Sequence, residues 1–226
     1  MNRRTVLISL LAGSAWWLSG AAQAQLNLKQ LGIGGGGGAA GSSGDAGGGV
    51  SQLLQTYVGA NQQVLGGQSS LASAMGMTSA AGQAKQAAGL LSGGTPSVSQ
   101  LTQVGNTQQS LSQSLTQAIA SRSGDSASAT PVNKQAFTDG LSSLGKGVSQ
   151  YSSLQSGLGS VGQMSPSSLL QSGMNPQTAQ SAAYIAQSAP GQLQSLMSTL
   201  SSAVQFASSH GISVPSIATS ALKGGQ

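Results

Sequence analysis

The sequence predicts an all-α protein: a loosely packed antiparallel helical bundle of about five to seven helices, preceded by a Gly-rich disordered linker. Three observations predict it. From Val50 onward, large apolar residues recur every three or four positions, the repeat of one helix face. Alternating runs of β-branched and aromatic residues, the signature of strands, are nearly absent. Clusters of Gly, Pro and Ser cut the chain into pieces of bundle-helix length, joined from the second piece to the fourth by connections short enough for antiparallel neighbours. The seams carry about one large apolar residue per turn, which suits thin contacts rich in Ala, Ser and Gly.

Before the helices come two other segments. Residues 1–24, "MNRRTVLISLLAGSAWWLSGAAQA", have the build of a signal peptide: Arg3 and Arg4, an uncharged stretch with its apolar centre from Val6 to Leu18, and the small-x-small site Ala22-Gln23-Ala24. Cleavage after Ala24 would leave Gln25 first. "NRRTVL" resembles the twin-arginine export signal, and a paired arginine is equally normal in the general one, so the route stays open. Residues 25–49 read as a flexible tether, because "GIGGGGGAAGSSGDAGGG", Gly32 to Gly49, costs too much backbone entropy to order without contacts. Phosphate-cradling loops are Gly-rich too, but this run lacks the Gly-Lys-Ser/Thr ending and a preceding strand.

The bundle is expected over residues 50–226. In the first segment Leu54, Tyr57, Val58, Asn61, Val64 and Leu65 share a face, Ser51 is the candidate N-cap, and Gly66-Gly67 is the expected stop. An Ala-rich second segment runs from Gln68 to Leu91 and ends at Ser92-Gly93-Gly94. In the third, Ser97 and Gln100 form a capping box, and Leu101, Val104, Gln108, Leu111, Leu115 and Ala118 step like a coiled-coil seam with Gln108 as its one polar position. A loop, Arg122 to Pro131, follows. Asn133 caps the fourth segment, with Val132 and Phe137 as a hydrophobic staple and Phe137, Leu141, Leu144, Val148 and Tyr151 on the seam. Leu154, Leu158 and Val161 continue it after a shift. Its glycines at 140, 145, 147, 157, 159 and 162 each cost about 1 kcal/mol against alanine, a cost tolerable where neighbouring helices approach closely. A short fifth helix is expected from Ser165-Pro166 to Gly173, with Met164 and Leu169 as its staple, and a sixth from Asn175-Pro176. Pro190 either kinks that helix or starts a seventh, which carries Leu193, Leu196, Leu200, Val204 and Ala207 and stops at His210-Gly211. A final short turn is expected after Ile212.

Composition narrows the chemistry. The chain has no cysteine, no Glu, three Asp and one His. A lipoprotein anchor and a disulfide are thereby excluded. One His and three dispersed Asp do not make a zinc site, and paired-carboxylate glycoside chemistry lacks its acids. A hydrolase would need His210 as base, Asp125 or Asp139 to orient it, and a serine. No Gly-x-Ser-x-Gly elbow is present, and His210 stands where a residue offers donors to the last carbonyls of a helix. No catalytic, cofactor-binding or metal-ligating set is therefore assigned, and no cofactor is expected. After Arg3 and Arg4, the basic residues Lys29, Lys85, Arg122, Lys134, Lys146 and Lys223 are scattered singly, so nucleic acid is not an expected partner. No segment after the signal is long and apolar enough to span a bilayer. The aromatics Tyr57, Phe137, Tyr151, Tyr184 and Phe206 all fall at or beside apolar helical positions, as core residues do. The expectation is a non-enzymatic, periplasmic or secreted protein that acts as a structural or interaction module of the cell envelope. Its uncharged polar helix faces suit self-association or a protein partner. The alternative is a carrier of a small apolar ligand or lipid; a hydrolase built on His210 ranks behind both.

Overall fold

A computed structural model of the chain describes residues 45–124, 132–161 and 175–224. The signal peptide expected at residues 1–24, residues 25–44 of the tether expected at 25–49, the part of the expected loop beyond Gly124, the fifth helix expected at Ser165–Gly173, and the side chains of Leu158 and Val161 lie outside the described residues. Within them the fold is all-α: six helices and no strand. These are α1 (Asp45–Ala74), α2 (Thr78–Leu90), α3 (Val98–Gly124), α4 (Lys134–Val161), α5 (Pro176–Ser209) and α6 (Ser216–Gly224).

Side-chain pairings give the directions. Tyr57 meets Tyr151 while Gly67 lies against Gly140 and Leu144, so α4 runs antiparallel to α1. Phe137 meets Phe206 while Tyr151 bonds Gln192, so α5 runs antiparallel to α4. Ser181 bonds the carbonyl of Pro96 and Tyr184 that of Leu101, so α3 and α5 run the same way as neighbours. Consecutive helices thus alternate, as short connections require.

The seams read from periodicity form the core. Leu101, Val104, Leu111 and Leu115 of α3, Phe137, Leu141, Leu144, Val148 and Tyr151 of α4, and Leu193, Leu196, Leu200 and Ala207 of α5 are all buried. The caps fall where expected. The Gln100 N–H donates to Ser97 Oγ while the Ser97 N–H donates to Gln100 Oε1, closing the capping box of α3. Asn133 Oδ1 accepts from the Ala136 N–H, and Asn175 Oδ1 from the Gln177 N–H.

Three expectations are corrected: where the first helix begins, where it ends, and where the second begins, which is Thr78 and not Gln68. Gly66-Gly67 does not end the first helix, and Ser51 does not begin it. The helix α1 starts at Asp45, passes through both glycines and reaches Ala74. It ends at Gly76, whose φ of 73° is costly for any residue with a Cβ. There the Met77 N–H donates to Ala72 O and the Gly76 N–H to Ser73 O. Gly67 is instead a crossing point. A Cβ on it would stand 2.6 Å from the Leu144 nitrogen and 2.9 Å from the Gly140 oxygen. Gly140 and Gly147 answer from α4, where added Cβ atoms would strike Leu71 and Val64. The glycines that weaken these helices locally let α1 and α4 touch backbone to backbone.

Pro190 settles in the other direction from a break. It lies inside α5, which continues unbroken from Pro176 to Ser209. Arg122, at the C-terminal end of α3, donates from Nη2 to Met75 O at 2.7 Å, and the Asn133 N–H donates to Ala74 O. The carbonyls at the end of α1 therefore find partners from two other elements, as buried helix ends must.

Candidate functional site

Polar side chains lie among the apolar ones of the core. Asn61, Gln68, Gln108, Ser112, Ser181 and Thr199 are buried alongside the apolar seams. Three of them form a line between α1 and α3. Gln68 Nε2 donates to Ser112 Oγ at 2.9 Å and to the Gln108 carbonyl at 3.2 Å, and Asn61 Nδ2 donates to the Tyr57 carbonyl at 2.9 Å. The nitrogens of Asn61 and Gln68 are thus used, but their oxygens are not. Asn61 Oδ1, Gln68 Oε1 and Gln108 Oε1 are buried without a hydrogen-bond partner. Each such group costs about 1–3 kcal/mol relative to a satisfied one. The interior has a surplus of acceptors and a shortage of donors.

A second polar group joins α1, α4 and α5. The hydroxyls of Tyr57 and Tyr151 each donate to Gln192 Oε1 at 2.8 Å. Their rings meet edge to face, with centroids 5.6 Å apart and planes at 72°. Burial holds the Tyr57 hydroxyl above the usual phenol range and the Tyr151 hydroxyl well above it, because an ionised phenolate would lose its water. Both phenols therefore stay protonated and able to donate. With two donors on its oxygen, the Gln192 amide is fixed in one orientation, and its Nε2 points the other way.

That other way is a cleft. A cavity of about 380 Å³ lies between α3 and α5. From α3 it is lined by Gly105, Asn106, Gln108 and Gln109, and from α5 by Tyr184, Gln187, Ser188, Gln192 and Ser195, with Gly191 at its edge. None of the described residues that line it is charged. Gly105 makes the room: a Cβ there would stand 2.9 Å from Gln192 Nε2 and 3.1 Å from the Tyr184 hydroxyl. Tyr184 donates to the Leu101 carbonyl across a long 3.4 Å, and of the five described aromatics it alone is not fully buried. Ser188 Oγ is buried and unpartnered, as is Gln108 Oε1. The cleft is thus lined by uncharged amides and hydroxyls around one fixed amide donor, the Nε2 of Gln192. No protein-family model, curated protein or solved structure matches the chain.

The residues singled out for catalysis stand elsewhere. His210 is the C-cap of α5; its Nδ1 lies 2.9 Å from the Phe206 carbonyl and 3.0 Å from Ser209 Oγ. Its ring stacks on Phe206 at 3.9 Å. Asp139 is exposed and accepts from Gln135 of its own helix, Asp125 lies outside the described residues, and no hydrogen bond among the described residues joins His210 to Asp139. Nor do the described residues contain a group of three His, Cys, Asp or Glu placed to hold a metal ion, or a helix long and apolar enough to cross a membrane.

A second cavity of about 450 Å³ lies where α1, the α2–α3 connection and the start of α5 meet. Leu54, Val58 and Pro96 line it together with Ser51, Gln55 and Thr178. Gln108 was marked in the sequence as the polar step in an apolar seam. Ser188, Tyr184 and Gln192 carried no such mark, since nothing in their spacing separates them from the many other polar positions of α5.

Proposed function

We propose that the chain is an exported, non-enzymatic binding module of the cell envelope, and that the cleft between α3 and α5 is where it binds. The observation that carries this reading is the lining of that cleft: amides and hydroxyls without a charge, with the Gln192 Nε2 donor held in place beside Gly105. Buried polar groups are normally satisfied, and a site that keeps them open gains hydrogen bonds when a ligand arrives. Catalysis finds less support. The groups that would serve it, His210 and Asp139, are engaged at a helix end and on an exposed helix face. Export rests on the signal-like residues 1–24, periplasmic or secreted location on export, and a protein partner or self-association remains compatible with uncharged helix faces.

Fractionation of cells expressing a C-terminally tagged chain, followed by intact mass, tests the export half of the reading. The expected species lies in the envelope or medium and begins at Gln25. An exported species that retains Trp16 and Trp17 contradicts it. The binding half is tested by comparing the wild-type chain with Gln192→Ala in ligand and partner binding, with a hydrolase panel on wild type and His210→Ala beside it. Turnover that disappears in His210→Ala contradicts the non-enzymatic reading. The alternative, a carrier of a small apolar ligand, would use the second cavity through Leu54, Val58 and Pro96. Organic extraction of the purified chain and mass spectrometry would reveal a retained lipid.

A further inference from the structure

We propose that the α3–α5 cleft takes a neutral polyhydroxylated ligand, a sugar of one or two rings. The inference rests on the reading of this cleft as the binding site and adds the chemical class of its occupant.

The argument starts from charge. Among the described residues, no Asp, Glu, Lys, Arg or His lines the cleft. A charged ligand would lose its hydration there without meeting an opposite charge, which is costly. An apolar ligand fares little better, since it would cover the Gln192 Nε2 donor and leave it unsatisfied. A sugar hydroxyl donates and accepts at once. It can pair with the amides and hydroxyls of the lining and accept from Gln192 Nε2.

The last of these is the most built. Gln192 Oε1 holds two phenol donors, one from α1 and one from α4, so its Nε2 is aimed by three helices. Among the described residues that Nε2 has no hydrogen-bond partner, and it stands 2.9 Å from the point a Cβ on Gly105 would occupy. The glycine leaves the donor uncovered. Preorganised donors of this kind lose little entropy on binding. Among the described residues Tyr184 supplies the aromatic surface of the cleft, and sugars present C–H faces that pack on such surfaces. The volume, about 380 Å³, falls within the usual range for small-molecule sites. A peptide is the weaker fit, because peptide capture leans on a free strand edge or a broad apolar groove, and the described residues of this cleft offer neither.

The test is a titration of the isotope-labelled full chain by NMR. The probes are glucose, maltose and N-acetylglucosamine, with glucose 6-phosphate and decanoate as charged and apolar comparators. The expected result is a saturable shift with at least one neutral sugar, confined to Gly105, Gln108, Tyr184, Ser188 and Gln192, and a weaker response to glucose 6-phosphate. Gln192→Met keeps the side-chain length and removes the amide; it should weaken the sugar by about tenfold or more. Because that variant strands two phenols, Gly105→Ala serves as the second. Its Cβ would cover Gln192 Nε2 and should weaken the sugar by a few-fold with helicity unchanged. Saturable shifts at the cleft from decanoate alone would overturn the sugar class and keep the cleft as a binding site. Shifts from the neutral sugars elsewhere on the surface, or no saturable shift from any probe, would overturn this proposal. In the second case an unaltered partner profile for Gln192→Ala would overturn the underlying reading as well.

Discussion

The α1–α4 contact and the α3–α5 contact both turn on glycine, and they use it for opposite ends. At Gly67 an added Cβ would strike the backbone of Leu144 and Gly140, and at Gly140 it would strike the backbone of Leu71. There the missing side chain is filled by the neighbouring helix itself. At Gly105 an added Cβ would strike only the far ends of Gln192 and Tyr184. There the missing side chain is left as space in front of polar groups. One contact is closed by main chain, the other held open. The difference teaches that a weak helix former has no single meaning: what stands across from it decides whether it joins two helices or parts them.

Substitutions can break or sharpen that comparison. The largest effect should come from the inner face of α3, which packs tightly although its outer face borders the cleft. Leu111→Ala should cost about 2–5 kcal/mol in urea unfolding, while Ser110→Ala, exposed on the same helix, should change almost nothing. Equal effects would mean that α3 has no dry side. Next is Gly67→Ala. The backbone overlap should cost about 1–3 kcal/mol despite the better helix propensity of alanine. Gly105→Ala should cost clearly less, because side-chain ends can move. If the two cost the same, the contrast between the contacts fails.

A smaller effect concerns the phenols that orient Gln192. Tyr151→Phe should cost about 0.5–1.5 kcal/mol and leave Tyr57 as the remaining donor. It should also change the alkaline limb of stability. Both phenols are held above their usual range by burial, so above about pH 10 the unfolded chain releases protons that the folded chain keeps. Their stabilisation is complete below that pH and is lost as pH rises toward the folded values. Each contributes a slope of about 1.4 kcal/mol per pH unit while only the unfolded phenol is ionised. Tyr151→Phe should remove one such contribution from the urea midpoints between pH 10 and 11. The smallest effect is a control of opposite sign. Gly82 lies in the helical interior of α2 with nothing within 4 Å of an added Cβ, so Gly82→Ala should stabilise by up to about 1 kcal/mol.

The fold was legible wherever the side chains that make it are large. Leu, Val and Phe at three- and four-residue steps marked the seams of α3, α4 and α5, and Ser97, Asn133 and Asn175 marked their caps, since these act through local geometry. Gly66-Gly67 was misread because a stop and a crossing look alike in sequence. Only the approach of Gly140 and Leu144, some seventy residues away, tells them apart. Pro190 was ambiguous for a related reason: tertiary packing on both sides of it carries α5 through a lost hydrogen bond. The cleft was the least legible part. Gln and Ser occur throughout this chain, and the proximity that selects Gln108, Ser188 and Gln192 exists only after three helices have packed. Gln108 alone gave a sign, as a polar residue on an otherwise apolar face.

The central claim is that the α3–α5 contact is kept open for a ligand at the expense of stability. Gln108→Leu tests it most directly. The side-chain oxygen of Gln108 is buried without a partner, while the bond from Gln68 goes to its main-chain carbonyl and would survive the change. Replacing this amide by an apolar group of similar size removes the unsatisfied oxygen but also gives up the side-chain hydrogen bond with the Tyr151 hydroxyl, so the unfolding free energy without ligand should rise by no more than about 1 kcal/mol. A loss of that size would contradict the claim, for it would make Gln108 a part of what holds the bundle together.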